Sequence, residues 1–251
     1  MSNSLYLEGA VMHPEELEFV ADSCRFKMVK VEGGTFTMGA TPEQGKDAED
    51  EERPAHKVTL SDYYIGQTEV TQALWKVVMG SNPAYIKGDN LPVEQVSWDD
   101  CQSFIEELNS MLSNELGGMR FALPTEAQWE FAARGGNKSK RYKYAGSNNL
   151  DDVAWYGDNS GEQKHPVAQK QPNELGLYDM SGNVWEWCQD LYGRYSLNAQ
   201  TDPQGPKDGA KRVLRGGSWY FYANGCRVSY RGSYTPGDRY SLLGLRLCLI
   251  P

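Results

Sequence analysis

Five cysteines and three histidines are the side chains of this 251-residue chain best suited to redox or metal chemistry, and their spacing favours neither. Cys24, Cys101, Cys188, Cys226 and Cys248 stand far apart, are odd in number and form no CxxC pair. Neither a zinc site nor a disulfide scaffold follows from such spacing, and the redox compartment stays open. His13, His56 and His165 are equally scattered, with no pair at the helical or short-loop spacing that an iron site needs.

A different chemistry concentrates near the C-terminus. Residues 220–242, YFYANGCRVSYRGSYTPGDRYSL, hold five of the fifteen tyrosines among Ser, Gly, Asn and Asp. This window has no Lys, Glu, Gln, Met or Trp, although those types fill 59 of the other 228 positions. Chance depletion at that rate is on the order of one in a thousand. The five missing types are those that no codon ending in a pyrimidine encodes. Within and around the window run residues that read as a frame: Arg215, Gly216, Gly217, Ser218, Trp219, Arg227, Arg231, Pro236, Arg239, Gly244 and Arg246. Tyr gives wide amphipathic contact at low entropic cost, and Ser, Gly and Asn adapt their hydrogen bonding, as in antibody paratopes. The plainer alternative is a tyrosine-rich core wall without a ligand.

Such a surface needs elements to hold it. Residues 26–39, FKMVKVEGGTFTMG, alternate around a glycine pair and read as a hairpin, and HKVTLSDYYIG reads as a strand. Thr68 or Thr71 opens a short helix through LWKVVMG to Gly80. The clearest helix starts at Ser97, with Asp100 as its capping-box partner. It places Cys101, Phe104, Ile105, Leu108, Met111 and Leu112 on one face. Another follows Thr125, with Gln128 at the box position and Gly135 as the stop, and its Trp129 and Phe131 read as core. The mostly acidic run 43–54 reads as a solvated loop. Beyond residue 136 no helical period persists, so the loops there need pinning by buried Trp, charged hydrogen bonds or metal. The organisation expected is an N-terminal extension, 1–25, and one α+β domain, 26–251.

Composition excludes some functions. The charged fraction of 24% is that of a globular chain, and a net charge of −9 argues against tight binding to phosphate backbones, so no nucleic-acid partner is expected. No apolar run approaches the roughly 20 residues of a membrane span. The opening MSNSLYLEGAVMHPEELEF has neither the basic nor the apolar region of a signal peptide.

In order along the chain, VEGGTFTMG, HKVTLSDYYIGQTEVT, PVEQVSWDDC, FALPTEAQWEFAARGG, HPVAQKQPNELGLYDMSGNVWEW and RVLRGGSW through GLRLCL resemble the formylglycine-generating-enzyme family, also called the sulfatase-modifying-factor family. The resemblance spans roughly residues 28–249. It implies a variant of the C-type lectin fold, α+β and loop-rich, with short strands and two main helices. The family's enzymes oxidise a substrate cysteine to formylglycine with copper and oxygen, using two cysteines five residues apart after RGGS. A soft Cu(I) ion needs both thiolates. Cys226 matches the second position, but Phe221 stands at the first and offers neither ligand nor nucleophile. Formylglycine generation is therefore not expected, and Cys226 reads as a small buried hydrophobe. Other branches use a histidine-held iron, which the scattered histidines here do not match. The resemblance also places a calcium site on Asp179, Gly182, Val184 and Glu186, oxygen ligands suited to that ion. In the competing reading Glu186 caps a turn or pairs with an arginine while Trp185 and Trp187 fill the core. A second family calcium site, near DDVAWYGDNSG, meets Val153 at or beside the position of an amide ligand. No cofactor is required, and structural calcium is the one candidate.

The window further resembles the variable region of proteins diversified by retroelements, in which adenines of AAY asparagine codons are mutated and scaffold codons spared. The implied variable, ligand-binding positions are Tyr220, Phe221, Tyr222, Asn224, Gly225, Tyr230, Gly232, Ser233, Tyr234, Asp238, Tyr240, Ser241 and Leu242, within a region of about 215–249. This implies a non-enzymatic binding protein whose partner is a protein or other surface molecule. It also implies display at the cell surface or outside the cytoplasm, by a lipid anchor in some relatives, for which this sequence carries no signal. Two alternatives stand beside it: a family enzyme with redirected oxidative or sulfur chemistry centred on Cys226, and an accessory module of a secreted complex.

Overall fold

The computed structural model describes residues 6, 7, 10, 11 and 14–251, so His13 lies outside the described residues. Tyr6–Leu7 and Ala10–Val11 pair with each other in a two-stranded sheet. A five-stranded antiparallel sheet runs in spatial order Glu16–Ala21, Cys24–Val31, Tyr63–Gly66, Cys248–Ile250, Arg120–Ala122. The strand Cys248–Ile250 thus lies inside the sheet, between Tyr63–Gly66 and Arg120–Ala122. Glu16–Ala21, within the stretch expected to be an extension, forms a full six-residue ladder with Cys24–Val31 and is part of the domain.

The expected hairpin over 26–39 does not form. Cys24–Val31 stays in the five-stranded sheet, whereas Gly34–Met38 pairs with His56–Leu60 in a three-stranded sheet completed by Gln200–Thr201. HKVTLSDYYIG makes the same step between sheets, so the single strand expected there is two, broken at residues 61–62. Alternation reports a half-buried strand but not its partner, which is why a sheet-to-sheet crossing reads as a hairpin. At this corner the Gly33 N–H donates to Asp62 Oδ1 at 2.8 Å, and the Ser61 N–H and hydroxyl donate to Asp202, each at 2.8 Å. Gly33 lies so close to the Leu60 carbonyl that a Cβ there would collide with backbone.

The helices form where local signals place them. In α1, Gln72–Met79, the Thr71 hydroxyl accepts from the Leu74 N–H, and Gly80 closes the helix at φ 70°. In α2, Trp98–Met111, Ser97 and Asp100 make the complete capping box. Cys101, Phe104, Ile105 and Leu108 are buried along α2, but Met111 is 45% exposed. The helix ends there, and Leu112, in a non-helical conformation, returns to the core in its place. Trp75 of α1 stacks on Phe104 of α2 with centroids 4.8 Å apart. In α3, Glu126–Ala133, Thr125 and Gln128 cap as expected, and Gly135 takes the left-handed conformation. Past residue 136 only the one-turn α4, Leu150–Val153, and two 3-10 turns occur.

A four-stranded sheet, in order Gly232–Tyr234, Arg212–Arg215, Trp185–Leu191, Leu243–Gly244, carries the C-terminal window. Trp185–Leu191 has nothing but buried side chains at 185–188, so the window rests on solid core. No helix among the described residues is long and apolar enough to cross a membrane.

Candidate functional site

Four of the five frame arginines, Arg215, Arg227, Arg231 and Arg246, are buried, and all five are paired with carboxylates. Arg215 reaches Glu126 at 3.0 Å and Glu130 at 2.5 Å, and also the carbonyls of Val228 and Ser229. Arg231 grips both oxygens of Glu126, at 2.6 and 2.8 Å, and the carbonyls of Glu51 and Gly193. Arg227 takes both oxygens of Glu52, at 2.5 and 2.8 Å, and Arg246 both oxygens of Glu186 together with the carbonyls of Gly66 and Tyr178. Arg239, more exposed, is bidentate to Asp100 at the start of α2. Charge-assisted, forked bonds of this kind fix backbone position as well as charge. Burial pushes the Glu126 carboxyl up, but Arg231 and Arg215 outweigh it and hold the group below its usual range. The same contest at Glu52 is decided downward by Arg227, the Glu49 N–H and Ser229.

The acidic run is mostly solvent-facing, as expected, but it is not a plain loop. It folds as two 3-10 turns, Pro42–Asp47 and Asp50–Glu52, with Gln44 and Glu52 buried. A buried guanidinium requires an anion within reach, and this run supplies one to Arg227. Glu49 also accepts from Asn224 at 3.1 Å, so the loop underlies the window directly.

The window's side chains are less buried, although Phe221, Tyr230, Tyr234 and Leu242 pack against the core. Of the thirteen implied variable positions, Tyr220, Tyr222 and Tyr240 are exposed, and Phe221, Asn224, Tyr230, Gly232, Ser233, Tyr234, Asp238, Ser241 and Leu242 are half-buried; Gly225 alone is buried. Their backbone is held largely by main-chain bonds that any residue could make. The Phe221 N–H donates to Ser218, the Gly157 N–H to Phe221, the Gln95 N–H to Tyr240, and the Leu243 N–H to Tyr240. The Asp238 carboxylate caps its own turn through the Thr235 N–H. Asn224 is a second window side chain that does structural work, its amide bonded at both ends, to Glu49 and to Arg227. Trp185, read in the sequence only as core filling, turns out to be the floor: the Phe221 and Tyr230 rings sit 5.0 and 5.9 Å from it. Tyr234 and Tyr240 form a second pair at 5.0 Å.

The sequence missed Glu52, Glu126 and Glu130 as parts of this site. The one signal that pointed to them is the demand of several frame arginines for anions.

Cys226 and the two described histidines sit in packed or hydrogen-bonded surroundings. Cys226 is fully buried, and burial pushes its thiol up to about 12, so it carries no thiolate at neutral pH. His165 is a hydrogen-bonded loop residue, its Nε2 2.7 Å from the Ser160 carbonyl and its ring stacked on Trp155. His56 contacts the Pro54 carbonyl and Tyr195. Among the described residues no three His, Cys, Asp or Glu converge as a metal site.

For calcium the fit is partial. Asp179 Oδ1 is buried without a partner, an oxygen a cation would satisfy. Glu186 does not fit, because both its oxygens are occupied by the Arg246 guanidinium and Trp129 Nε1 donates to one of them at 2.6 Å. A cation there would face a fixed positive charge. Gly182 and Val184 would offer their carbonyl oxygens, and their N–H groups, bonded to the Gly216 carbonyl and to Glu69, hold that loop in place. Val153, at the second candidate site, is buried in α4. The arrangement at Glu186 is the arginine pair of the competing reading, with Trp185 and Trp187 buried beside it.

Asp190, beneath the frame, accepts the Glu126 N–H at 2.8 Å where α3 begins. Burial, with the Glu126 charge beside it, pushes its carboxyl up to about 7. The folded protein keeps this proton to about pH 7, whereas an unfolded chain releases it near pH 4. The stability due to the neutral form is thus complete below pH 4 and lost as pH rises through 7. Asp190→Asn keeps an acceptor without the charge. It is expected to exceed the wild type by about 2–4 kcal/mol at pH 8 and to converge on it near pH 4, as read by urea unfolding at both values.

Short sheets on two main helices, with long loops pinned by buried arginine–carboxylate pairs, make this an α+β protein with the C-type lectin fold in its formylglycine-generating-enzyme form. Residues 19–249 match the sulfatase-modifying factor enzyme 1-like domain, and the chain belongs to that family. The solved structure of Treponema denticola variable protein 1 superimposes with a TM-score of 0.85 at 34% identity, covering 95% of this chain and 100% of its own. Chaperone protein LppX of Paenibacillus barcinonensis is 36% identical over 266 residues, 88% of each chain. The formylglycine-generating enzyme of Streptomyces coelicolor is 32% identical over 291 residues, 87% of each chain.

Proposed function

We infer that this protein is a non-enzymatic binding member of the family, with its ligand site on the Tyr-, Ser-, Gly- and Asn-rich window. One observation carries the reading: four frame arginines are buried on carboxylates, while twelve of the thirteen window positions keep some exposure on a backbone held mostly by main-chain bonds. A surface built this way can change its side chains without changing its shape. The likeness to a variable protein supports diversification of those positions. Phe221, which the family resemblance sets at the first catalytic position, and the buried Cys226 thiol speak against redirected thiol chemistry. The ligand is a protein or other surface molecule, met at the cell surface or outside the cytoplasm, and calcium is not required for it.

The test is on the gene. Sequencing downstream is expected to find a near-copy of the codons for residues 215–249 that differs mainly where the copy has adenine, beside a reverse-transcriptase gene. Differences at codons 220–222, 224, 225, 230, 232–234, 238 and 240–242 would fit the reading. Absence of such a copy would return the window to an ordinary family loop.

A further inference from the structure

Gly225 differs from Gly217 and Gly244, two glycines of the frame. A Cβ on Gly244 would come within 2.6 Å of the Val93 carbonyl oxygen, and one on Gly217 within 2.8 Å of the Gly225 carbonyl oxygen. Those positions are closed by backbone. A Cβ on Gly225 would instead find the Phe221 ring as its three nearest neighbours, at 2.5, 3.3 and 3.4 Å. The Gly225 backbone is not in the left-handed region, so it accepts a side chain without strain. The only thing that must give way is another residue of the window.

What Phe221 would give way from is the floor of the site. Its ring stands edge-on to Trp185, at 85°, with Tyr230 beside the same indole. A Cβ at Gly232 would touch the far edge of that indole at 3.4 Å. Trp185 is 3% exposed, so the ring of Phe221 helps to keep a fixed aromatic surface covered. The Phe221 main chain is anchored separately, its N–H to Ser218 at 2.9 Å and its carbonyl to Gly157 at 2.8 Å. Moving the ring therefore leaves the loop in place.

We propose that residue 221 is the plug of an apolar pocket floored by Trp185 and walled by Tyr230, and that the residue at 225 sets whether the plug is seated. With Gly225 the pocket is filled by the protein's own phenyl ring. With a larger residue at 225, or a smaller one at 221, it receives an aromatic or branched apolar group of the ligand. Positions 221 and 225 then specify as one unit rather than as two. This rests on the window being the ligand site, but its test uses the protein alone, so the pocket and the codon pattern can fail independently.

The experiment is a double-mutant cycle of Gly225→Ala and Phe221→Ala in the full chain, read by thermal melting with and without millimolar toluene. Gly225→Ala alone is expected to lower Tm by about 2–4 °C, and to have almost no effect in the Phe221→Ala background. Toluene is expected to raise the Tm of Phe221→Ala by about 2 °C or more and leave the wild type unmoved. Should Phe221→Ala fail to fold, Phe221→Leu takes its place with the same readings. Additive losses in the cycle, or equal toluene shifts in wild type and variant, would overturn the proposal.

Discussion

Arg215→Met is expected to destabilise the fold by about 3–5 kcal/mol, the cost of breaking a buried ion pair from one side. The substitution removes cationic donors from Glu126 and Glu130 and leaves the Val228 and Ser229 carbonyls without their guanidinium partner. Methionine fills much of the volume, so the loss reads electrostatics and hydrogen bonding rather than a cavity. Arg231 still holds Glu126, and Arg134 still holds Glu130 at 2.8 Å, which keeps the effect from being larger. The comparison that gives this number meaning is Tyr220→Ala, Tyr222→Ala and Tyr240→Ala together. These three are the exposed tyrosines of the window, and removing all of them is expected to cost less than about 1 kcal/mol in the same urea titration. Comparable losses from the two variants would mean that window and frame are one packed unit, and the inferred separation of shape from specificity would fall.

The sequence disclosed what is local. Ser97 with Asp100 and Thr125 with Gln128 are pairs three residues apart, complete within one turn, and both helices begin where these boxes stand. The frame arginines were legible as a set because they punctuate a stretch otherwise rich in small residues and tyrosine. Their partners were not, since Arg215 is 85 residues from Glu130 and Arg227 is 175 residues from Glu52. No periodicity links residues that far apart, and a run such as EDEER has the same composition whether it is solvated or buried. The misread hairpin has the same root: the strands before and after Gly33 and Gly34 alternate correctly, yet each pairs with a segment the pattern does not name. Trp185 could be read as buried from its type, but its place under Phe221 and Tyr230 is set by tertiary packing alone. Family likeness supplied the fold that these local signals left open.

Glu52→Ala should be nearly as costly as Arg215→Met, at about 3–5 kcal/mol, and its effect should spread to the window. Glu52 receives both Arg227 nitrogens, the Ser229 hydroxyl and the Glu49 N–H, so its loss strands a buried cation beside Asn224 and opens the cap of the 3-10 turn. Hydrogen exchange is expected to speed up over residues 42–53 and 223–229 and to stay unchanged in α2, which shares no partner with this pair. The pH dependence has a defined sign. The folded-state carboxyl is held below its unfolded value, so the pair's stabilisation is present above about pH 4.5 and is lost as pH falls through the lower, folded value. Wild type should therefore lose stability on acidification to pH 3 more steeply than Glu52→Ala, which has no such proton to take up. Combining Glu52→Leu with Arg227→Met removes both charges and is expected to recover much of the loss, because an apolar pair of similar volume carries no desolvation penalty. A double variant no more stable than Glu52→Ala would show that Arg227 acts through its bonds to Asn224 and Ser229 rather than through Glu52. The window would then be held from its own side of the interface, not from the acidic loop beneath it.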